Sequence, residues 1–360
     1  MISLALLIKP VSSGCNLNCR YCFYHDISNN REIKNYGKID LSLTDTLIKK
    51  ALESDSKHIV FAFQGGEPTL IGLDYYEVFV SKVKFYNKEN KFISYALQTN
   101  GTLLNDKWCG FFKENNFLIG VSLDGNIKAH NINRNDTFFD VIKNIKLLET
   151  YQVDFNILTV VNKNNHHQIK DIYQFYKKQG FKFLQFIPCL PALNNKFHQD
   201  KYALTYNEYY QFLENLLNLW LSDFKNGNYI SIRYFDNLIR RLNNQTVNMC
   251  ELNDKCSITL VVESNGDVYP CDFYCLDDYL LGNIKMDSLN DLLESELMKV
   301  FSNDKITSKC LTCEYKMLCY GGCKRYREQG HNYYCPSYKR FFKNNLSKLK
   351  EVNKLLKVIS

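Results

Sequence analysis

From residue 4 to about residue 190, short apolar runs alternate with helix-length amphipathic segments, in a repeat of roughly 30 residues. The runs at 4–9, 59–64, 93–99, 118–123, 155–161 and 183–188 read as strands. Segments such as 44–53, 106–114, 139–150 and 167–179 carry apolar residues three and four positions apart and read as helices. Six such units predict a parallel sheet covered by helices. They are too few to close an eight-stranded barrel, which leaves an open barrel or a doubly wound sheet. Residues 200–245 read as helices, and the aromatic and leucine stripe over 206–226 reads as core. Beyond Cys250 the texture changes: one hairpin is predicted, with strands 258–263 and 268–271 about a turn at Asn265-Gly266. The tail, 339–357, reads as a basic amphipathic helix that packs on the body.

Composition changes this picture little. Of the 360 residues 45% are hydrophobic and 23% charged, an ordinary globular balance. The net charge of +7 is spread over helix-like segments without a dense basic stripe, so no nucleic-acid partner is expected. No apolar run approaches the roughly 20 residues that span a bilayer. The opening MISLALLIKPVSSGC lacks a basic region before its short apolar stretch, so it reads as a first strand rather than a lipoprotein signal. A cytoplasmic protein without a membrane partner is expected.

The fourteen cysteines matter through their placement. Cys15, Cys19 and Cys22 stand alone at the front, Cys109 and Cys189 are isolated, and nine lie between Cys250 and Cys335. Without a secretion signal, ligation of metal or cluster is favoured over disulfides. CNLNCRYC has the spacing C-x3-C-x2-C, three thiolates from one loop. Three ligands to a four-iron cluster leave one iron open, where the amino and carboxylate groups of S-adenosylmethionine can chelate. A zinc site would ask for four ligands, and only His25 follows within reach. Gly65-Gly66-Glu67-Pro68 follows the second strand and Asn100 the third, at strand C-termini, where barrel-like α/β folds keep their chemistry.

The three-cysteine motif followed by Phe23, together with GGEP, resembles the radical S-adenosylmethionine superfamily. The later run C-x2-C-x5-C-x3-C from Cys310 to Cys323, with Cys335, resembles the SPASM extension. That resemblance implies two further 4Fe-4S clusters, one on Cys250, Cys256, Cys271 and Cys323 and the other on Cys310, Cys313, Cys319 and Cys335. One or two zinc sites are the alternative. Cys275, four residues after Cys271, is the cysteine this assignment does not expect.

The segments LLIKPVSSGCNLNCRYCFYHD, FAFQGGEPTL, LQTNGTLLN, GVSLDGN, FNILTVV, KFLQFIPCL, SIRYFD and VYPCDFY together resemble the anaerobic sulfatase-maturating enzymes, along nearly the whole chain. The resemblance implies a partial (β/α)6 TIM barrel over 1–235, a cysteine-rich SPASM domain with a hairpin and helices over 236–342, and a C-terminal helix over 343–360. It implies radical oxidation of a sulfatase cysteine or serine to Cα-formylglycine by a 5'-deoxyadenosyl radical. It gives Asp272 as the base, Tyr24, Gln64 and Gln98 on the substrate side, and Tyr21, Gly66, Glu67, Ser122, Arg134 and Leu190 on the S-adenosylmethionine side. A carboxylate suits the base role and a guanidinium suits the cofactor carboxylate. The expected partners are a nascent or unfolded sulfatase with a Cys/Ser-x-Pro/Ala-x-Arg motif and a reductant such as ferredoxin or flavodoxin, with the enzyme a monomer. Competing readings are a thioether-forming peptide maturase, for which a leader-binding module is missing at the front, and a zinc or iron-sulfur sensing module, which would not need GGEP.

Overall fold

The computed structural model describes residues 3–303 and 306–359, with side chains through residue 356. The strands that frame the two parts of the molecule are β1 Ser3–Ile8, β2 His58–Phe63, β3 Phe92–Thr99, β4 Phe117–Ser122, β5 Phe155–Val161, β6 Phe183–Pro188, β7 Ser231–Ile232, β8 Leu260–Val262, β9 Asp267–Tyr269 and β10 Gly282–Asn283. The six strands expected from the apolar runs are β1 to β6, displaced by a residue at most ends. The chain gathers into two compact units, one of residues 1–122, 134–156 and 258–302, the other of 123–133, 157–257 and 303–360.

In the first unit β1, β2, β3 and β4 pair in parallel in that order. Their burial alternates, which the expected near-continuous apolar strands do not suggest: Leu4, Leu6, Ile8, Ile59, Phe61 and Phe63 are buried, and their neighbours only half so. Helices cover the first face. Helix Leu41–Glu53 starts at Asp40, whose carboxylate accepts the Leu43 N–H, and buries Leu43, Leu47, Ile48 and Ala51 at helical spacing. Helix Leu73–Tyr86, not among the segments named above, buries Tyr76 and Phe79, and the Phe79 ring meets Phe61 and Phe63 edge-on. The half-buried face carries Gln64 and Gln98. Because Ile8 pairs with Phe63 and Phe63 with Leu97, Lys9, Gln64 and Gln98 come level on adjacent strand ends.

The predicted hairpin forms, with shorter strands than expected: β8 and β9 are antiparallel about the Asn265-Gly266 turn. Its unexpected feature is that β8 also pairs in parallel with β1, extending the sheet on that side and bringing the segment after Cys256 into the first unit.

In the second unit β6 pairs in parallel with both β5 and β7. Helix Tyr206–Lys225 opens with a capping box between Thr205 and Glu208 and buries the predicted stripe, including Phe212, Leu216 and Trp220. The basic tail is helix Cys335–Ile359. It packs on helix Tyr206–Lys225, with Ser337 Oγ donating to Tyr206 O at 2.5 Å and Asn345 Nδ2 to Glu214 Oε2 at 2.6 Å. Among the described residues no helix is long and apolar enough to cross a membrane.

Candidate active site

The first cysteines lie on the loop after β1, and Cys22 is the cap of helix Phe23–Asn29. All three are partly exposed, and among the described residues no cysteine is in a disulfide. Donors point at the sulfurs: Leu17 N–H lies 3.3 Å from Cys15 Sγ, Asn100 Nδ2 3.9 Å from the same atom, and Arg134 Nη1 3.9 Å from Cys19 Sγ. N–H groups aimed at sulfur favour thiolates, the form that ligates iron, although burial outweighs them at Cys15 and raises its pKa. Three thiolates on a loop ten residues or fewer in span fit a cluster with one open iron. Among the described residues no three His, Cys, Asp or Glu side chains converge closely enough for a single ion.

The GGEP segment is shaped by backbone demands. Gly66 has φ +52°, and a Cβ there would stand 2.0 Å from Gly14 O, on the cysteine loop. Glu67 N–H donates to that same carbonyl at 2.7 Å. The Glu67 side chain is 1% exposed, and its carboxylate accepts from Thr69 N, Thr69 Oγ1, Thr99 Oγ1 and Asn100 N at 2.6–3.1 Å. Burial raises its pKa, against the pull of those donors. Glu67 thus ties the end of β3 to the GGEP loop. Gln98 Nε2 donates to Ser122 Oγ at 3.1 Å, and the Arg134 guanidinium sits 5.4 Å from the Tyr21 ring centre. Leu190 belongs to the second unit, just past β6, where its carbonyl accepts from the Cys189 thiol.

Asp272 begins a short turn directly after Cys271. Tyr24 Oη donates to Asp272 Oδ2 at 2.5 Å and Gln64 Nε2 to the same oxygen at 3.2 Å. Among the described residues, the buried Oδ1 has no hydrogen-bond partner. Burial pushes the Asp272 carboxyl up to about 6, with Lys9 and the Tyr24 hydroxyl pulling the other way. Burial and the neighbouring Asp272 raise the Tyr24 hydroxyl well above its ordinary value, so it stays a donor.

Behind this group lies a set of residues that sequence reasoning passed over. Lys9 Nζ is 2.5 Å from Glu263 Oε1, Arg31 Nη1 is 2.6 Å from the same atom, and all three side chains are almost wholly buried. Lys9 also sits 5.3 Å from the Tyr24 ring centre. Burial opposes the Lys9 ammonium, but the neighbouring Cys275, Glu263 and Asp272 outweigh it and raise its pKa. Burial likewise opposes the Glu263 carboxylate, and Lys9 and Arg31 bring its pKa below the usual range. A lysine closing the apolar run LALLIK was the one local signal of this trio. Cys275 is fully buried beside it; burial keeps its thiol protonated, and the thiol faces Cys271 O at 3.7 Å.

The second unit holds the remaining cysteines. Cys310, Cys313, Cys319 and Cys335 line one cavity of about 540 Å³ with Tyr206 and Tyr338. Burial and the other three cysteines raise the Cys319 thiol to about 11, as mutually close thiols do before a cation neutralises them. Cys250, Cys256 and Cys323 neighbour one another, and burial and that proximity raise Cys323 to about 12 and Cys250 to about 11. Cys271, expected with them, lies in the first unit. Cys109 and Cys189 are buried with raised thiol pKa values, as residues outside any ligand set.

Residues 10–176 match the radical SAM superfamily, and 250–314 match the SPASM iron-sulfur cluster-binding domain. The chain is 46% identical to the cysteine-type anaerobic sulfatase-maturating enzyme of Clostridium novyi, over 99% of each chain. It is 31% identical to the serine-type anaerobic sulfatase-maturating enzyme of Klebsiella pneumoniae, over 96% of this chain and 88% of that one. The solved structure of native anSMEcpe with bound AdoMet and Cp18Cys peptide superposes with a TM-score of 0.94, at 41% identity, covering 98% of this chain and 99% of that one. The mixed α/β fold is therefore the radical SAM partial barrel with a SPASM domain, and the chain belongs to the anaerobic sulfatase-maturating enzymes, which use S-adenosylmethionine to oxidise a sulfatase residue to Cα-formylglycine.

Proposed function

We propose that this chain oxidises a cysteine, in a nascent or unfolded sulfatase bearing a Cys-x-Pro/Ala-x-Arg motif, with Asp272 as the base. The observation that carries the base is its divided carboxylate: Oδ2 held by Tyr24 and Gln64, Oδ1 buried without a partner. A buried acceptor left idle is costly unless a ligand completes it, and a thiol or hydroxyl donor would. The preference for cysteine over serine is supported by the higher identity to the cysteine-type relative.

Cys15, Cys19 and Cys22 would hold the first 4Fe-4S cluster, the four cysteines of the 540 Å³ cavity a second, and Cys250, Cys256, Cys271 and Cys323 a third. With S-adenosylmethionine bound, the first would supply the electron for its cleavage and so the radical chemistry that removes a hydrogen atom from the substrate Cβ. Arg134 and Ser122 would meet the cofactor with Tyr21, Gly66 and Leu190, while Glu67 fixes the loop that presents Gly66. Gln98 would orient the peptide from β3. Asp272 Oδ1 takes the thiol proton, and Tyr24 and Gln64 keep the carboxylate aimed as it does so. The substrate loses a hydrogen atom to the radical, a proton to Asp272 and an electron to an oxidised carrier such as ferredoxin or flavodoxin; the resulting thioaldehyde exchanges sulfur for oxygen with water, releasing hydrogen sulfide. We assign radical chemistry to 1–235, cluster support to 236–342 and packing to 343–360, in a cytoplasmic monomer served by ferredoxin or flavodoxin.

The test is mass spectrometry of an anaerobic reaction of reconstituted protein, reductant, S-adenosylmethionine and Cys-x-Pro-x-Arg or Ser-x-Pro-x-Arg peptides. Formylglycine from the cysteine peptide in excess over the serine one, with matching 5'-deoxyadenosine, is expected. S-adenosylmethionine cleavage with both peptides unchanged would overturn the substrate assignment.

A further inference from the structure

We propose that the basic surface around Cys310, Cys313, Cys319 and Cys335 is the docking face for an acidic one-electron carrier protein. The inference rests on the proposed function, in which one electron enters to cleave S-adenosylmethionine and one leaves the substrate in each turnover. A carrier donates the first in its reduced form and accepts the second in its oxidised form, so the exchange balances. Such a partner must meet the enzyme in both redox states, and a charged, quickly dissociating face serves that need.

Cys313 marks the place. It lines the cavity formed with the other three cysteines, and it also lines a surface cleft of about 540 Å³ with Tyr315, Arg340 and Lys343. This ligand set therefore borders open surface. The charge there has one sign: among the described residues lining the two cavities, Glu314 is the single carboxylate against Lys309, Lys316, Lys339, Arg340 and Lys343. Leu311 and Met317, 59% and 57% exposed, provide apolar area beside the cysteines. A small apolar centre ringed by lysines suits a partner with carboxylates around its redox group.

The platform is firm. Helix Cys335–Ile359 buries Phe341, Phe342 and Asn345 against its neighbours, which leaves Lys339, Arg340 and Lys343 on its exposed side. Arg340 is held in place over the Tyr210 ring, 4.1 Å from its centre. Like charges gathered on one face steer an oppositely charged partner and lose that effect as salt screens them.

The experiment measures binding of flavodoxin, an acidic carrier, to the reconstituted holoenzyme across a range of salt. Unmodified enzyme should bind at low salt and weaken steeply as salt rises. Arg340→Glu/Lys343→Glu should weaken binding by about tenfold or more at low salt and flatten the salt dependence. Its iron content and its formylglycine yield with dithionite, which needs no docking, should hold. Lys84→Glu/Lys88→Glu, an equal charge change at two exposed lysines on and just past helix Leu73–Tyr86, should leave binding close to unmodified. Equal affinity in the unmodified and Arg340/Lys343 proteins, equal loss in the two double variants, or no flavodoxin binding at all would overturn the proposal. Salt-sensitive binding through this face by an enzyme that makes no formylglycine with dithionite would keep the docking face and reject the reaction.

Discussion

Tyr24 and Asp272, 248 positions apart in sequence, share a 2.5 Å hydrogen bond that leaves the other carboxylate oxygen buried and unbonded. The chain thus fixes the direction of the proposed base before substrate arrives. Asp272→Asn keeps the size of the side chain and removes its capacity to accept the thiol proton. Formylglycine formation should fall by about 10²–10⁴-fold, while reductive cleavage of S-adenosylmethionine stays within about twofold. Quantifying both products in one anaerobic reaction checks this, and an unchanged formylglycine yield would remove Asp272 as base.

Tyr24→Phe takes away the shorter of the two hydrogen bonds to Oδ2 and leaves Gln64 alone at 3.2 Å. A hydrogen bond to a charged group contributes about 1.5–3 kcal/mol, so peptide oxidation should slow roughly 10- to 100-fold. Because the tyrosine acts through Asp272, the loss should appear in kcat more than in KM. A variant with unchanged kcat and raised KM would make Tyr24 a peptide contact instead.

Glu263 is the anion that keeps both Lys9 and Arg31 satisfied in the interior. Glu263→Gln would remove the carboxylate that both buried cations share, at a cost of about 3–5 kcal/mol in denaturant unfolding. The pH dependence follows from the two directions of shift. The lowered Glu263 pKa contributes stability that is present above the unfolded carboxylate value, about 4.3, and is lost as pH falls through the folded value. The raised Lys9 pKa contributes stability that is present below about 10.4 and is lost as pH rises through the folded value. Unfolding followed from pH 3 to about pH 11 should show a plateau with two falling flanks. Both flanks should be shallower in the variant. Flanks of unchanged steepness would show that this trio does not set the pH range of stability.

What the sequence displayed was local. The apolar runs located β1 to β6 within a residue or so, and the cysteine spacings marked the loop after β1 and the set from Cys310 to Cys335, because each reports on neighbours along the chain. The Lys9–Glu263 pair joins residues 254 positions apart, and nothing near either residue specifies the other. The placement of β8 beside β1 is of the same kind: the hairpin was legible from Asn265-Gly266, and its parallel partner was not. Glu67 is the instructive case among the site residues. Motif resemblance put it on the cofactor side, and its carboxylate also accepts from Thr69, Thr99 and Asn100, a closure that depends on β3 reaching the same place as the loop.

That closure makes the GGEP loop a sharp target. At Gly66 a methyl group would have to pass within 2.0 Å of the Gly14 carbonyl, the same oxygen that accepts from Glu67 N–H at 2.7 Å, and φ there is +52°. Backbone, not a flexible side chain, occupies the space, so Gly66→Ala must move the GGEP loop and the cysteine loop apart. Glu67, held by four protein donors, resists movement on its side. The displacement should therefore fall on the segment carrying Cys15, and S-adenosylmethionine binding should weaken by about tenfold or more, equivalent to 1.4 kcal/mol or above. Equilibrium binding of S-adenosylmethionine to the reconstituted variant, with iron content measured on the same sample, checks this. The expected result is weakened binding at near-normal iron. Normal binding would show that the two loops are not coupled through Gly14.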